Sequence, residues 1–192
     1  FYRINRDGAP TIDRYAASTP YDIGSCGATP DKTKTFGSLG TQADKMFFKP
    51  DGTSVFMYML NFASNQEQIF QFDMSVAWDV SSISATTVPD QSVTLPLVND
   101  DWAAGIYFKS DGSQLFVAQQ TSWYKFNLGT NWDITSVVTP VLSENQYSTF
   151  TLPSKYNGIN GLFVSPDETK VFIGTITDFI IRTDFGTALD FR

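Results

Sequence analysis

One stretch of this chain recurs, and the recurrence limits the fold more than any other property of the sequence. Phe47 to Val80 contains Phe-Phe-Lys-Pro-Asp-Gly-Thr and then Phe-Asp-Met-Ser-Val-Ala-Trp-Asp-Val. Tyr107 to Ile134 repeats it as Tyr-Phe-Lys-Ser-Asp-Gly-Ser and Phe-Asn-Leu-Gly-Thr-Asn-Trp-Asp-Ile. Phe163 to Phe191 gives a looser copy, and Ile12 to Ile23 carries the second half alone. The closing aspartates are Asp22, Asp79, Asp133 and Asp190, at intervals of 57, 54 and 57. The turn aspartates are Asp51, Asp111 and Asp167, at intervals of 60 and 56.

Periods above about 40 residues with several short strands in each predict β-propeller blades. The units lack the apolar spacing at three and four that a helix face needs. Each unit reads as four antiparallel strands, a to d. Strand a covers Met46–Lys49, Ile106–Lys109 and Leu162–Ser165; strand b covers Val55–Leu60, Leu115–Gln119 and Val171–Thr175. Strand c covers Ile69–Asp73, Trp123–Asn127 and Phe179–Asp184. Strand d is placed loosely over Thr86–Leu97 and Val137–Thr151, each with a proline, which suits an outer edge because proline deletes a ladder donor. Between a and b, Pro50 presets φ, Asp51 bonds nearby amides and Gly52 takes positive φ. Glu168 stands where that glycine is expected, which predicts a changed turn or strain of about 1 kcal/mol. Trp78 and Trp132 are expected to pack between blades, with the following aspartate tying down the turn after strand c.

The expected fold is therefore all-β, a propeller or partial propeller of about four repeats of about 57 residues each. The whole of 1–192 reads as one domain or segment: partial blade 1–40, blade 41–100, blade 101–152 and partial blade 153–192. The first repeat lacks strand a and the last lacks strand d, so the ends do not complete each other. Part of a longer polypeptide is the first expectation. A closed four-bladed ring and an arc completed by another chain are the alternatives. In either of the open cases the chain acts within a larger chain or multimer.

Composition narrows function by exclusion. The chain has no histidine, which removes the usual general base and every Ser-His or Cys-His nucleophile. Net charge is −7 and the basic residues are scattered, against nucleic-acid binding through phosphates. Cys26 is the single cysteine, so no internal disulfide forms. No apolar run approaches the roughly 20 residues of a membrane span, so membrane insertion is not expected.

Two constellations remain. Asp51, Asp111 and Asp167 read as turn formers, repeated because the turn repeats. The candidate binding loop is Asn99, Asp100, Asp101 and Trp102, which enters a strand a. Its oxygens would suit calcium, and the indole would suit a sugar or protein contact, although three adjacent residues are not an EF-hand pattern. No other cofactor is expected, and no catalytic or metal residue is assigned.

The Trp-Asp pairs lack the Gly-His of WD40 repeats and are not assigned to them. The combination at residues 47–56, 70–80, 107–117 and 124–134 resembles instead the β-propeller-like repeats of phage virion and tail-associated proteins and of marine bacterial surface proteins. Residues 12–23 and 162–190 follow the same pattern more loosely. The resemblance implies a non-enzymatic structural or adhesive module at a virion or extracellular surface. Its partners would be other virion or surface-assembly proteins, or a host glycan. The rival readings are a secreted bacterial adhesin and a lactonase- or glycosidase-like propeller enzyme with a channel calcium. The enzyme would need several carboxylates converging on one point.

Overall fold

The computed structural model describes residues 1–5, 9–37, 42–61, 66–84, 87–96, 103–119, 123–137, 159–165, 167–175 and 180–184. Within them the chain is all-β, a series of small antiparallel sheets with no α-helix among the described residues. The first sheet runs β1 (Tyr2–Asn5), β2 (Thr11–Arg14), β3 (Lys32–Thr35). The second runs β4 (Gln42–Phe48), β5 (Ser54–Asn61), β6 (Gln66–Asp73), β7 (Gln91–Thr94) in that spatial order. The third holds β8 (Ala103–Phe108), β9 (Gln114–Gln119) and β10 (Trp123–Asn127). The fourth holds β11 (Ile159–Val164), β12 (Lys170–Thr175) and β13 (Ile180–Asp184).

The a-b-c-d order expected from sequence is the order of β4 to β7, and Gln91–Thr94 is the only part of the broad strand d estimate that is strand among the described residues of the second repeat. The estimate over Val137–Thr151 lies outside the described residues apart from Val137, which bridges to Leu128.

Register makes the repeats comparable residue by residue. Phe1, Val55, Leu115 and Val171 are equivalent, as are Tyr2, Phe56, Phe116 and Phe172. β4, β8 and β11 each carry a register shift at the same place, between Ala43/Lys45, Ala103/Gly105 and Ile159/Gly161. Such a bulge adds one residue to one strand and increases local twist.

The chain divides into two compact halves, Phe1–Leu95 and Pro96–Arg192. In the first, Ile12 and Phe36 of the first sheet pack with Val55, Met57, Phe72, Val80 and Ile83 of the second repeat. The Phe36 and Phe72 rings lie 4.7 Å apart. β5 is buried on both faces from Ser54 to Leu60, which accounts for its near-continuous apolar run. In the second half, Phe116 and Ala118 pack with Val164, Val171 and Ile173.

Candidate functional site

The recurring polar residues are used within their own repeats. Lys49–Gly52 forms a turn closed by the Gly52 amide donating to the Lys49 carbonyl at 2.8 Å, and Gly112 repeats it. Asp51 accepts from the Thr53 amide at 2.9 Å and hydroxyl at 2.6 Å; Asp111 does the same from Ser113. These hydroxyls, with Ser165 for Asp167, are the leading cause that holds the three turn carboxyls at about 2. The closing aspartates Asp22, Asp79 and Asp133 each cap a one-turn 3-10 helix by accepting an amide two residues on.

Sequence reasoning missed a third member of this set. Ser25, Ser82 and Ser136 each accept an amide six residues earlier, from Thr19, Val76 and Thr130 at 3.0, 3.1 and 2.9 Å. Each hydroxyl also lies within 2.6–2.7 Å of the capping aspartate's carbonyl. The signal was present as Asp-(Ile/Val)-x-Ser in all three repeats.

Trp78 does not pack as expected. It lies over its own repeat's turn, stacked on Phe48 at 5.9 Å with its indole against Gly52; Trp132 does the same with Phe108 and Gly112. The turn after strand c bends back through a left-handed residue, φ 64° at Trp78 and 65° at Trp132, and this aims the indole at the turn. Tyr21 keeps that backbone, with φ 62°. Of the two outcomes expected at Glu168, the structure has the strained one: the turn keeps its left-handed residue, with φ 55°, and the Glu168 carboxylate bridges two sheets. It accepts from the Ser110 amide at 2.6 Å and the Tyr107 hydroxyl at 3.3 Å.

Asn99, Asp100, Asp101 and Trp102 lie outside the described residues. Among the described residues no group of three or more Cys, Asp or Glu side chains is arranged to hold an ion.

The first repeat offers a different kind of site. Phe1, Ala17, Tyr21, Asp22, Ile23 and Cys26 line an open cavity of about 280 Å³. Its counterparts in the second repeat are buried: Val55, Met74, Val80 and Ile83 replace Phe1, Ala17, Ile23 and Cys26. Ile23 is 69% exposed, whereas Val80 is fully buried. The difference lies in what covers them. The first sheet lies on the second repeat, where Lys32 pairs with Asp79 at 3.3 Å and the Tyr2 hydroxyl donates to the Trp78 carbonyl at 2.6 Å. Arg14 reaches the same carbonyl, and the Lys34 ammonium donates to the Ile83 carbonyl. Among the described residues no sheet covers the corresponding face of the first repeat, where Asp22 and the Tyr21 and Cys26 carbonyls hold the acceptor positions. At its centre Arg3 and Asp13 form an ion pair at 2.7 Å, where the second repeat has Met57 and Phe70. Burial works to raise the Asp13 carboxyl, yet the Arg3 and Thr33 hydrogen bonds outweigh it and hold it below its usual range.

The fold defines an all-β chain built from several small antiparallel sheets. No family model matches the sequence, and no curated protein does. Among solved structures, the chain is similar to Sqt1 of Chaetomium thermophilum at 14% identity and a TM-score of 0.45, over 97% of this chain and 43% of that one. The chain therefore spans less than half of that protein's length.

Proposed function

We propose that this chain is a non-enzymatic β-propeller module of about four repeats and a component of a phage or viral particle, in its tail, fibre or capsid surface. It holds neighbouring proteins together or contacts the host. The observation that carries this reading is the repeated plan of the sheets, packed face to face through apolar joints such as that between the first sheet and the second repeat. Local use of the recurring carboxylates supports it too, because a lactonase- or glycosidase-like site needs such groups turned toward a shared substrate. The setting on a particle comes from the repeat resemblance, and fold alone does not fix function.

The test is location. Antibody against the chain, used for immunogold labelling of purified particles, is expected to decorate them at a fixed place. Peptide mapping of the same particles is expected to recover the repeats. Recovery only from the soluble fraction of the lysate, with bare particles, overturns the reading.

A further inference from the structure

The turns that repeat along this chain contain a chemically weak link. In Asp-Gly the glycine nitrogen can attack the aspartic acid carboxyl, because glycine has no Cβ to obstruct the approach. A bond forms from that nitrogen to Cγ, the amide proton leaves with the carboxyl hydroxyl as water, and a cyclic imide results. Water then reopens the ring at either carbonyl. One opening restores aspartate; the other leaves isoaspartate, whose backbone runs through the side chain. The net change is an isomerisation and needs no other reactant. Asp51–Gly52 and Asp111–Gly112 carry this link, and a third, Asp7–Gly8, lies outside the described residues. Asp51 and Asp111 are about half exposed, so water reaches both. In the last repeat the glycine is replaced by Glu168, whose Cβ hinders the attack.

Each reacting group is held away from the reaction. The electrophile is the neutral carboxyl. Asp51 Oδ1 accepts from the Thr53 hydroxyl and amide, and Oδ2 pairs with the Lys49 ammonium at 2.9 Å. Asp111 has Ser113 and Lys109 in the same places, the ammonium at 3.1 Å. All these partners favour the charged form. At pH 5 a carboxyl titrating at about 2 is neutral in about one molecule in a thousand, against about one in twenty at 3.8. The nucleophile is the glycine amide, which donates to the Lys49 or Lys109 carbonyl at 2.8 Å. Turning it onto Cγ breaks that bond and pulls the glycine from beneath the indole that rests on it. The product fits no better. Isoaspartate adds a backbone atom to a turn whose flanks are paired at Phe48 and Val55, and whose Gly52 carbonyl accepts the Trp78 amide at 2.9 Å. We infer that the bonds around Asp51 and Asp111 guard these two links against backbone isomerisation, keeping them intact while their repeats are folded and releasing them to rearrange when a repeat opens.

Incubating the 192-residue chain at about pH 5, folded and in concentrated urea, tests this. Isoaspartate is counted at each position by fragmentation mass spectrometry of the peptides. At 51 and 111 it is expected to accumulate at least about tenfold more slowly in the folded chain, since the neutral carboxyl alone is scarcer by more than that. Thr53→Val falls at an exposed position, keeps the shape of the side chain and removes the hydroxyl donor. It is expected to speed isomerisation at Asp51 about threefold or more, while Asp111 in the same molecules keeps the parent's rate. Ser113→Ala is the reciprocal variant, with Asp111 accelerated and Asp51 unchanged. Equal rates in folded and unfolded chain overturn the inference. So do variants with the parent's circular dichroism in which the altered turn is no faster, or in which both turns accelerate together.

Discussion

The Trp78 indole rests on Gly52 so closely that a Cβ there would come within 2.4 Å of Nε1. Gly112 and Trp132 repeat the arrangement, with 2.3 Å. Both glycines also have φ near 73°, so space and backbone demand the same residue. Gly52→Ala is expected to lower stability by roughly 2–5 kcal/mol, the left-handed backbone contributing about 1–2 and the displaced indole the rest. Urea denaturation measures it. In Gly52→Ala/Trp78→Ala the cost of the alanine falls to the backbone part alone. An undiminished cost in the double variant removes the contact as cause.

The serine bridge makes a local prediction. Ser82→Ala and Ser136→Ala leave the Val76 and Thr130 amides without their acceptors. Each is expected to cost about 0.5–1.5 kcal/mol, since water can reach the freed amide. Amide exchange is expected to accelerate at Val76 or Thr130 in the altered repeat while the other repeat stays protected. Uniform acceleration across both repeats contradicts a local role.

Asp51, Asp111 and Asp167 titrate at about 2 in the folded chain against 3.8 when free. A depressed carboxyl stabilises the fold above its unfolded pKa, and that contribution is lost as pH falls through the folded value. Stability is expected to be flat in these groups from pH 5 to 7 and to fall between about pH 4 and 2. Solvent screening at these exposed turns keeps the effect small for each. Asn in place of all three retains the turn acceptor and removes the charge, so the acid slope is expected to flatten. An unchanged slope assigns acid sensitivity to other groups, among them Asp13.

Glu168 separates strain from bonding. Glu168→Ala keeps the left-handed backbone and loses the Ser110 and Tyr107 bonds, whereas Glu168→Gly loses the bonds and relieves the backbone. The glycine variant is expected to be the more stable by about 1 kcal/mol, with both below the parent. Tyr107 titrates at about 12, raised first by burial and then by the Glu168 charge. A raised tyrosine stabilises the fold below its unfolded pKa near 10, and the contribution fades between pH 10 and 12. Spectrophotometric titration, with Tyr107→Phe identifying the signal, is expected to show a lower Tyr107 value in Glu168→Gln. An unshifted value would separate the tyrosine from the carboxylate.

Much of the fold was legible because its chemistry is local. The Asp-Gly turn, strands b and c and the capping aspartate all follow from residue types acting within a few positions. The bulge in strand a was not legible, because Asp44, Ala104 and Asn160 at the extra position share no side-chain property. Nor was the left-handed tryptophan: nothing intrinsic to Trp favours that backbone, and Tyr21 adopts it too, with φ 62°. The uncovered face was hidden for another reason. Ala17, Tyr21 and Ile23 look like any buried apolar set in sequence, and their exposure depends on what lies across from them. The loop at 99–102, chosen for its residue types, lies outside the described residues.

The Met74 amide donates to Thr53 and the Trp78 amide to Gly52, and Leu128 and Trp132 do likewise with Ser113 and Gly112. In each case these backbone bonds latch the end of a repeat onto its own beginning. A whole repeat inserted or deleted at the loop before strand a breaks none of these latches. Arrays of different length can thus be cut from the same pattern, with the number of repeats free to vary while the wiring inside each stays constant.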